Sequence, residues 1–167
     1  MHLPKNRQVV YQPLAKKIES RIKYDNTDLK MNRQLFQNVA RLRVQEAKVL
    51  LKAGQYPGAY YLIGYAIECA LKACVAKQVK RYDFPDKKIA NEAFTHDLDK
   101  LVKLAGLSQK FENDRKSNPN LDLNWAVVKD WSESVRYDVG ITSAQANDLF
   151  TACTKKDGIL PWVKNKW

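Results

Sequence analysis

The chain has 167 residues, 45% of them apolar, and carries 29 Lys+Arg against 18 Asp+Glu for a formal net charge of +11. That length suits one domain and that apolar share suits one packed core, which excludes wholesale disorder. Cys69, Cys74 and Cys153 form neither a C-x-x-C pair nor an even set, and His2 and His96 complete no zinc spacing. A disulfide framework, a metal site and a bound cofactor are therefore not expected.

Residues 1–31 mix Pro4, Pro13 and many charges with a weak apolar series, Leu14, Ile18 and Ile22. They read as a basic arm with a short helix over 14–24 and no apolar leader, so a cytoplasmic protein with free thiols is expected. Residues 1–52 hold twelve basic and four acidic side chains, a surplus of 12 − 4 = 8. Such asymmetry points to an anionic partner, nucleic acid above all, with Arg33, Arg41, Arg43 and Lys48 as candidate electrostatic contacts. A soluble lysine-rich surface would carry the same numbers.

The first firm element covers 32–53, where Phe36, Ala40, Val44, Ala47 and Leu51 recur at three- and four-residue steps. Gly54 stands where a helix wants a left-handed residue after its end. Beyond the QYPG turn, GQYPGAYYLIGYAIECALKACV at 54–75 carries one formal charge, Glu68, between Lys52 and Lys72. Pro57 suits a first helical turn. Apolar residues on more than one side make this the buried central helix, paired with its predecessor as an antiparallel hairpin. Its uncharged run is shorter than the ~20 residues of a membrane span, so no membrane association is expected.

Residues 82–96 read as a loop. Leu98, Leu101, Val102 and Ala105 give a short amphipathic helix with Asp97 and Asp99 in its first turn, ended by Gly106. Ser108 caps a further helix to about Arg115, and KSNPN at 116–120 is a break. The next helix is expected from Asp122 to Tyr137, with Trp125, Val128, Trp131 and Val135 on its buried side. Thr142 and Gln145 form a capping-box pair for a last helix with Ala146, Leu149, Phe150 and Cys153 inside. Pro161 breaks or kinks the chain beyond that helix. No stretch alternates with period two, so the expected fold is all-α, an up-and-down bundle of four to five helices. Its divisions are the basic arm at 1–31, the bundle at 32–158, and a tail at 159–167 docked by Trp162 and Trp167.

Three stretches carry a family resemblance: EAKVLLKAGQYPGAYYLIGYAIECALKA at 46–73, FTHDLDKLVKLAGL at 94–107 and WSESVRYD at 131–138. The chain resembles the HEPN family of small helical nucleotide- and RNA-associated domains over roughly residues 32–158. The resemblance implies a homodimeric helical bundle of the kind found in toxin–antitoxin and phage-defence systems, some with a nucleotidyltransferase partner. Its active members are metal-independent RNases with an Arg, four to six residues, then a His. Arg136 matches that Arg, whereas residues 137–167 contain no His, and Tyr137, Asp138 and Thr142 stand nearby. The implied function is a non-catalytic module for RNA, a nucleotide or a defence partner. The alternative is a divergent metal-independent RNase using Arg136 with Tyr137, Asp138 or His96.

Each candidate has a plainer reading. A buried carboxylate must be paired or neutralised, so Glu68 either meets Arg136, as the resemblance implies, or pairs with Lys72 one turn on. Arg136, with Glu68 and Lys72 beside it, could hold a phosphate, or it could form a salt bridge to Glu133 or Glu68. His96 in THDLD reads as a helix-start or surface residue. Tyr56, Tyr60, Tyr61 and Tyr65 could stack on bases, or fill the core or a dimer interface.

Overall fold

A computed structural model describes residues 31–78 and 87–167, and Met31–Trp167 forms one compact unit. The predicted helix over 14–24 lies outside the described residues. Chain order begins with α1, Arg33–Lys52, whose N-cap Asn32 accepts the Leu35 N–H at 2.9 Å. Capping meets one of the donors that a helix start leaves unpaired. After Ala53, Gly54 adopts φ 73°, the left-handed turn its position predicted. The chain then re-enters helix as α2, Tyr56–Gln78, with Pro57 in its first turn.

The central-helix expectation holds. Ile63, Ala66, Ile67, Ala70, Leu71 and Ala73 of α2 are all inaccessible to water. The membrane argument needs correction, because α2 is by length and composition apolar enough to span a bilayer. What makes it a core helix is its burial, since 67% of that apolar window is covered inside the bundle.

The remaining helices are shorter and more numerous than expected. A turn of helix, α3 at Lys87–Glu92, interrupts the stretch read as a loop. Asp97 caps α4, Leu98–Leu104, by accepting the Lys100 N–H at 2.9 Å. Gly106, at φ 66°, leads to α5, Ser108–Ser117, with Ser108 as its first residue rather than its cap. Asn118 then caps α6, Pro119–Val128. The single helix predicted over 122–137 ends at Val128. Trp131 N–H closes a tight turn on the Val128 carbonyl at 3.1 Å, Ser132 is extended, and a 3₁₀ turn spans Glu133–Tyr137. Trp131 is buried, as predicted, from a loop rather than a helix face.

The capping box of Thr142 and Gln145 starts α7, Ser143–Thr154. The final element, α8 at Ile159–Lys164, overturns the predicted break at Pro161. Proline falls in the first turn there, where its missing N–H costs no helical bond. Ile159, Leu160 and Val163 are core residues, so 159–167 belongs to the bundle and is no separate tail. Trp162 docks as expected, donating to Asp114 Oδ2 at 2.9 Å with its ring 4.4 Å from Phe111. Around α2 pack α1, α4, the 3₁₀ turn, α7 and α8. The described residues form an all-α helical bundle.

Candidate functional site

Tyr61, Tyr65, Glu68 and Lys72 recur at steps of four, three and four along α2, which places them in one line on its surface. Chemistry divides that line into two ends. At the first end the Tyr61 and Tyr65 rings lie parallel, with centroids 6.0 Å apart. Tyr61 also leans on Trp131 at 6.2 Å. Trp131 reaches this position because Gly64 has no side chain. A Cβ there would lie 2.3 Å from Cδ1 and Nε1 of the indole.

Anchored by Trp131, the 3₁₀ turn presents Arg136 and Tyr137 to solvent. The Arg136 guanidinium lies 4.8 Å from the centre of the Tyr137 ring, and Tyr137 is 76% exposed. Hydrogen bonding to Tyr137 first, and to Tyr61 as well, pushes the Arg136 pKa above its already high ordinary value. From α1, Arg43 lies 5.9 Å from the Tyr65 ring centre while paired with Glu46. Burial pushes the Tyr65 hydroxyl up to about 12, with neighbouring Cys69 the next cause, so Tyr65 stays neutral. This end is a cationic, aromatic platform in which Arg136, Tyr137, Tyr61, Tyr65 and Arg43 adjoin.

At the second end Glu68 is 1% exposed, and both of its oxygens are engaged. Lys72 Nζ donates to Oε1 at 2.8 Å, and His96 Nδ1 lies 3.0 Å from Oε2. A carboxylate can only accept, so opposite an ionised Glu68 the proton of that contact belongs to His96 Nδ1. Since Asp97 caps α4, this bond ties the start of α4 to the central helix.

The predicted Glu68–Arg136 contact does not form. The local pairing with Lys72 does, inside the bundle rather than at its rim. Arg136 is likewise apart from Glu133, its neighbours being Tyr137 and Tyr61. Lys72, with a side chain 11% exposed and bound to Glu68, is not free for a phosphate. Asp138 accepts the Gly140 N–H at 2.8 Å in a local turn. Seven residues of helix separate Tyr61 from Glu68, about 10 Å of rise, so Arg136 and His96 belong to different ends of the line.

Of the predicted electrostatic residues, Arg33, Arg41 and Lys48 are exposed on α1, and Arg41 lies 5.1 Å from the Trp167 ring centre. Arg43 is half-buried in its pair with Glu46. All three cysteines are free and buried. Among the described residues no three His, Cys, Asp or Glu side chains gather as metal ligands would. The role of Trp131 and the contact between Glu68 and His96 were not predicted. The adjacent signals were Gly64 among large neighbours and the unusual charge at Glu68. Set against family models, curated proteins and solved structures, the chain matches none of them.

Proposed function

We propose that the chain is a HEPN-like module that binds single-stranded RNA without cleaving it, within a toxin–antitoxin or defence assembly in the cytoplasm. The observation that carries this reading is the adjoining set of Arg136, Tyr137, Tyr61 and Tyr65, the first two exposed and the last two half-buried, on a protein of net charge +11. Aromatic faces stack on any base and guanidinium groups hold phosphate, so binding of this kind tolerates sequence. Fluorescence anisotropy with a labelled single-stranded RNA tests it. Binding is expected near 10⁻⁶ M, falling steeply with salt as counterions are released. Replacing Tyr137 with Ala removes stacking worth about 1–3 kcal/mol, roughly a 5- to 150-fold loss. Affinity that ignores salt, or that survives Arg136→Ala with Tyr137→Ala, rejects the reading.

The second reading, a metal-independent RNase, draws on His96, which Glu68 holds through Nδ1 at 3.0 Å. Against it stands the ~10 Å between the two ends of the line, because one phosphate needs the base and the cation together. Turnover of labelled RNA in EDTA, lost in Arg136→Ala and in His96→Ala, would favour the RNase. A two-fold homodimer completes the proposal. Light scattering that finds only a 19.3 kDa species at tens of micromolar removes that part.

A further inference from the structure

The hairpin sets the start of α1 beside the end of α2, and the end of the chain reaches the same place, where Lys77 Nζ donates to the Lys166 carbonyl at 2.8 Å. Here lies a cleft of about 350 Å³ whose walls include Cys74, Lys77, Gly106, Leu107, Asn165 and Lys166. That volume is within the range of small-ligand sites. Its charges share one sign. Arg33, Lys77 and Lys166 form no ion pair among the described residues. Cys74 senses all three: burial lifts its thiol to about 11, and Lys77, Arg33 and Lys166 pull it back down. Lys166 is also felt by Asp114, a carboxylate already held by Lys110 at 2.7 Å and by Trp162 at 2.9 Å. The Lys166 ammonium lies 5.2 Å from the Trp162 ring centre, a contact that positions it without neutralising it.

We propose that this cleft binds a phosphate monoester, its terminal oxygens meeting Lys77, Lys166 and Arg33 and its organic body lying against Leu107 and Asn165. The arrangement of the cations selects the anion. A planar carboxylate is best met by one guanidinium fork, which presents two parallel donors from a single side chain. Here the charges come singly from α1, α2 and the residue pair after α8, and two of them are lysines, which act as compact point charges. Three separate cations suit a group that spreads two charges over three oxygens. Gly106, exposed at φ 66°, adds no side chain at the rim. A free mononucleotide and the phosphorylated 5′ end of an RNA both carry such a group. The proposal goes beyond the RNA reading and uses none of the residues of its platform, so either can fail alone.

The test titrates the full chain with AMP, adenosine and succinate and follows the Gly106 and Asn165 amides in proton–nitrogen spectra. AMP is expected to shift both saturably, at least tenfold more tightly than succinate, while adenosine leaves them in place. Lys77→Gln with Lys166→Gln should weaken AMP tenfold or more, and Arg33→Gln should weaken it too, all with an unchanged circular dichroism spectrum. Lys103→Gln with Lys155→Gln removes the same charge from exposed sites elsewhere and should leave AMP affinity within twofold, as should Arg136→Ala. A decanucleotide with and without its 5′ phosphate separates the sources. A preference for the phosphorylated form that the Lys77 and Lys166 variant abolishes supports an RNA end, and AMP binding without that preference supports a free metabolite. Neither AMP saturation up to about 10 mM, well beyond a weak millimolar site, nor a 5′-phosphate preference overturns the proposal. It is overturned too if adenosine or succinate matches AMP, or if the distant lysine pair costs as much as the local one, which means only net charge is sensed. Shifts confined to Arg136 and Tyr137 assign the nucleotide to the platform, with the same consequence.

Discussion

Replacing Gly64 with Ala puts one methyl group where the Trp131 ring now lies. The new carbon would stand 2.3 Å from Cδ1 and Nε1 and 2.4 Å from Cδ2, against 3.4 Å for ordinary contact. The indole must therefore retreat by 3.4 − 2.3 = 1.1 Å at least. Trp131 is 2% exposed, so it has no solvent side to yield into without losing burial. Overpacking of this kind costs about 1–3 kcal/mol beyond what the structure absorbs. Alanine's helix preference over glycine returns about 1 kcal/mol at most. We expect a net loss of about 1–2 kcal/mol, measured by urea denaturation. Trp131→Ala alone should cost about 3–5 kcal/mol. In that background Gly64→Ala should turn stabilising by up to ~1 kcal/mol, because the clash is gone and the propensity gain remains. Since Trp131 anchors the turn that carries Arg136, Gly64→Ala should also weaken RNA binding. Gly64→Ala that stabilises the wild-type protein, or adds linearly to Trp131→Ala, refutes the packing argument.

Glu68→Ala should be more damaging, by about 3–5 kcal/mol, because it leaves Lys72 buried without its counter-charge; Glu68→Leu with Lys72→Met should recover most of that loss. Thermal and urea unfolding of the two variants checks it, and a Glu68→Ala cost under about 1 kcal/mol would mean that Glu68 does not hold Lys72 and His96 in place. Burial pushes the thiols of Cys69 and Cys74 from 9.0 to about 11 and that of Cys153 higher still. Only the thiolate alkylates, so at pH 8 the folded protein should react with iodoacetamide roughly a hundredfold more slowly than the urea-unfolded chain. Thiols whose pKa is raised by folding favour the folded state below pH 9.0, and that contribution is lost as pH rises toward 11. Peptide mass spectrometry of labelled thiols, with unfolding curves at pH 8 and 10, reads both.

The hairpin was legible because its signals were local. Gly54, Pro57 and the three- and four-residue steps from Phe36 to Leu51 each act over one or two turns, and the structure keeps them all. The capping box at Thr142 is of the same kind. Trp125, Val128, Trp131 and Val135 misled because a helical step of three or four continues across a tight turn and a 3₁₀ turn. Periodicity records which residues face the core, and a buried loop tryptophan satisfies it as well as a helical one. Pro161 misled for want of a boundary, since a proline breaks or begins a helix according to where the first turn falls, and Gly158 puts that turn at Ile159. The Glu68–His96 contact spans 28 residues and the Gly64–Trp131 contact 131 − 64 = 67, distances over which no local pattern speaks. The site's two ends were therefore named residue by residue and wrongly joined.

The three-residue link from Ala53 to Gln55 has a consequence in time. It joins the two helices that share the most extensive interface in the unit, so closing the loop costs little entropy and the hairpin can form early. The other cover for α2 comes later in the chain, from α4, α7 and α8. Between Gln78 and the end of α7 at Thr154 lie 154 − 78 = 76 residues still to be made. At a synthesis rate of about 5–20 residues per second, that is roughly 4–15 s. Until α4, and then α7 and α8, have been made, the helix apolar enough to span a bilayer has its hairpin partner on one side and lacks this later cover on the others.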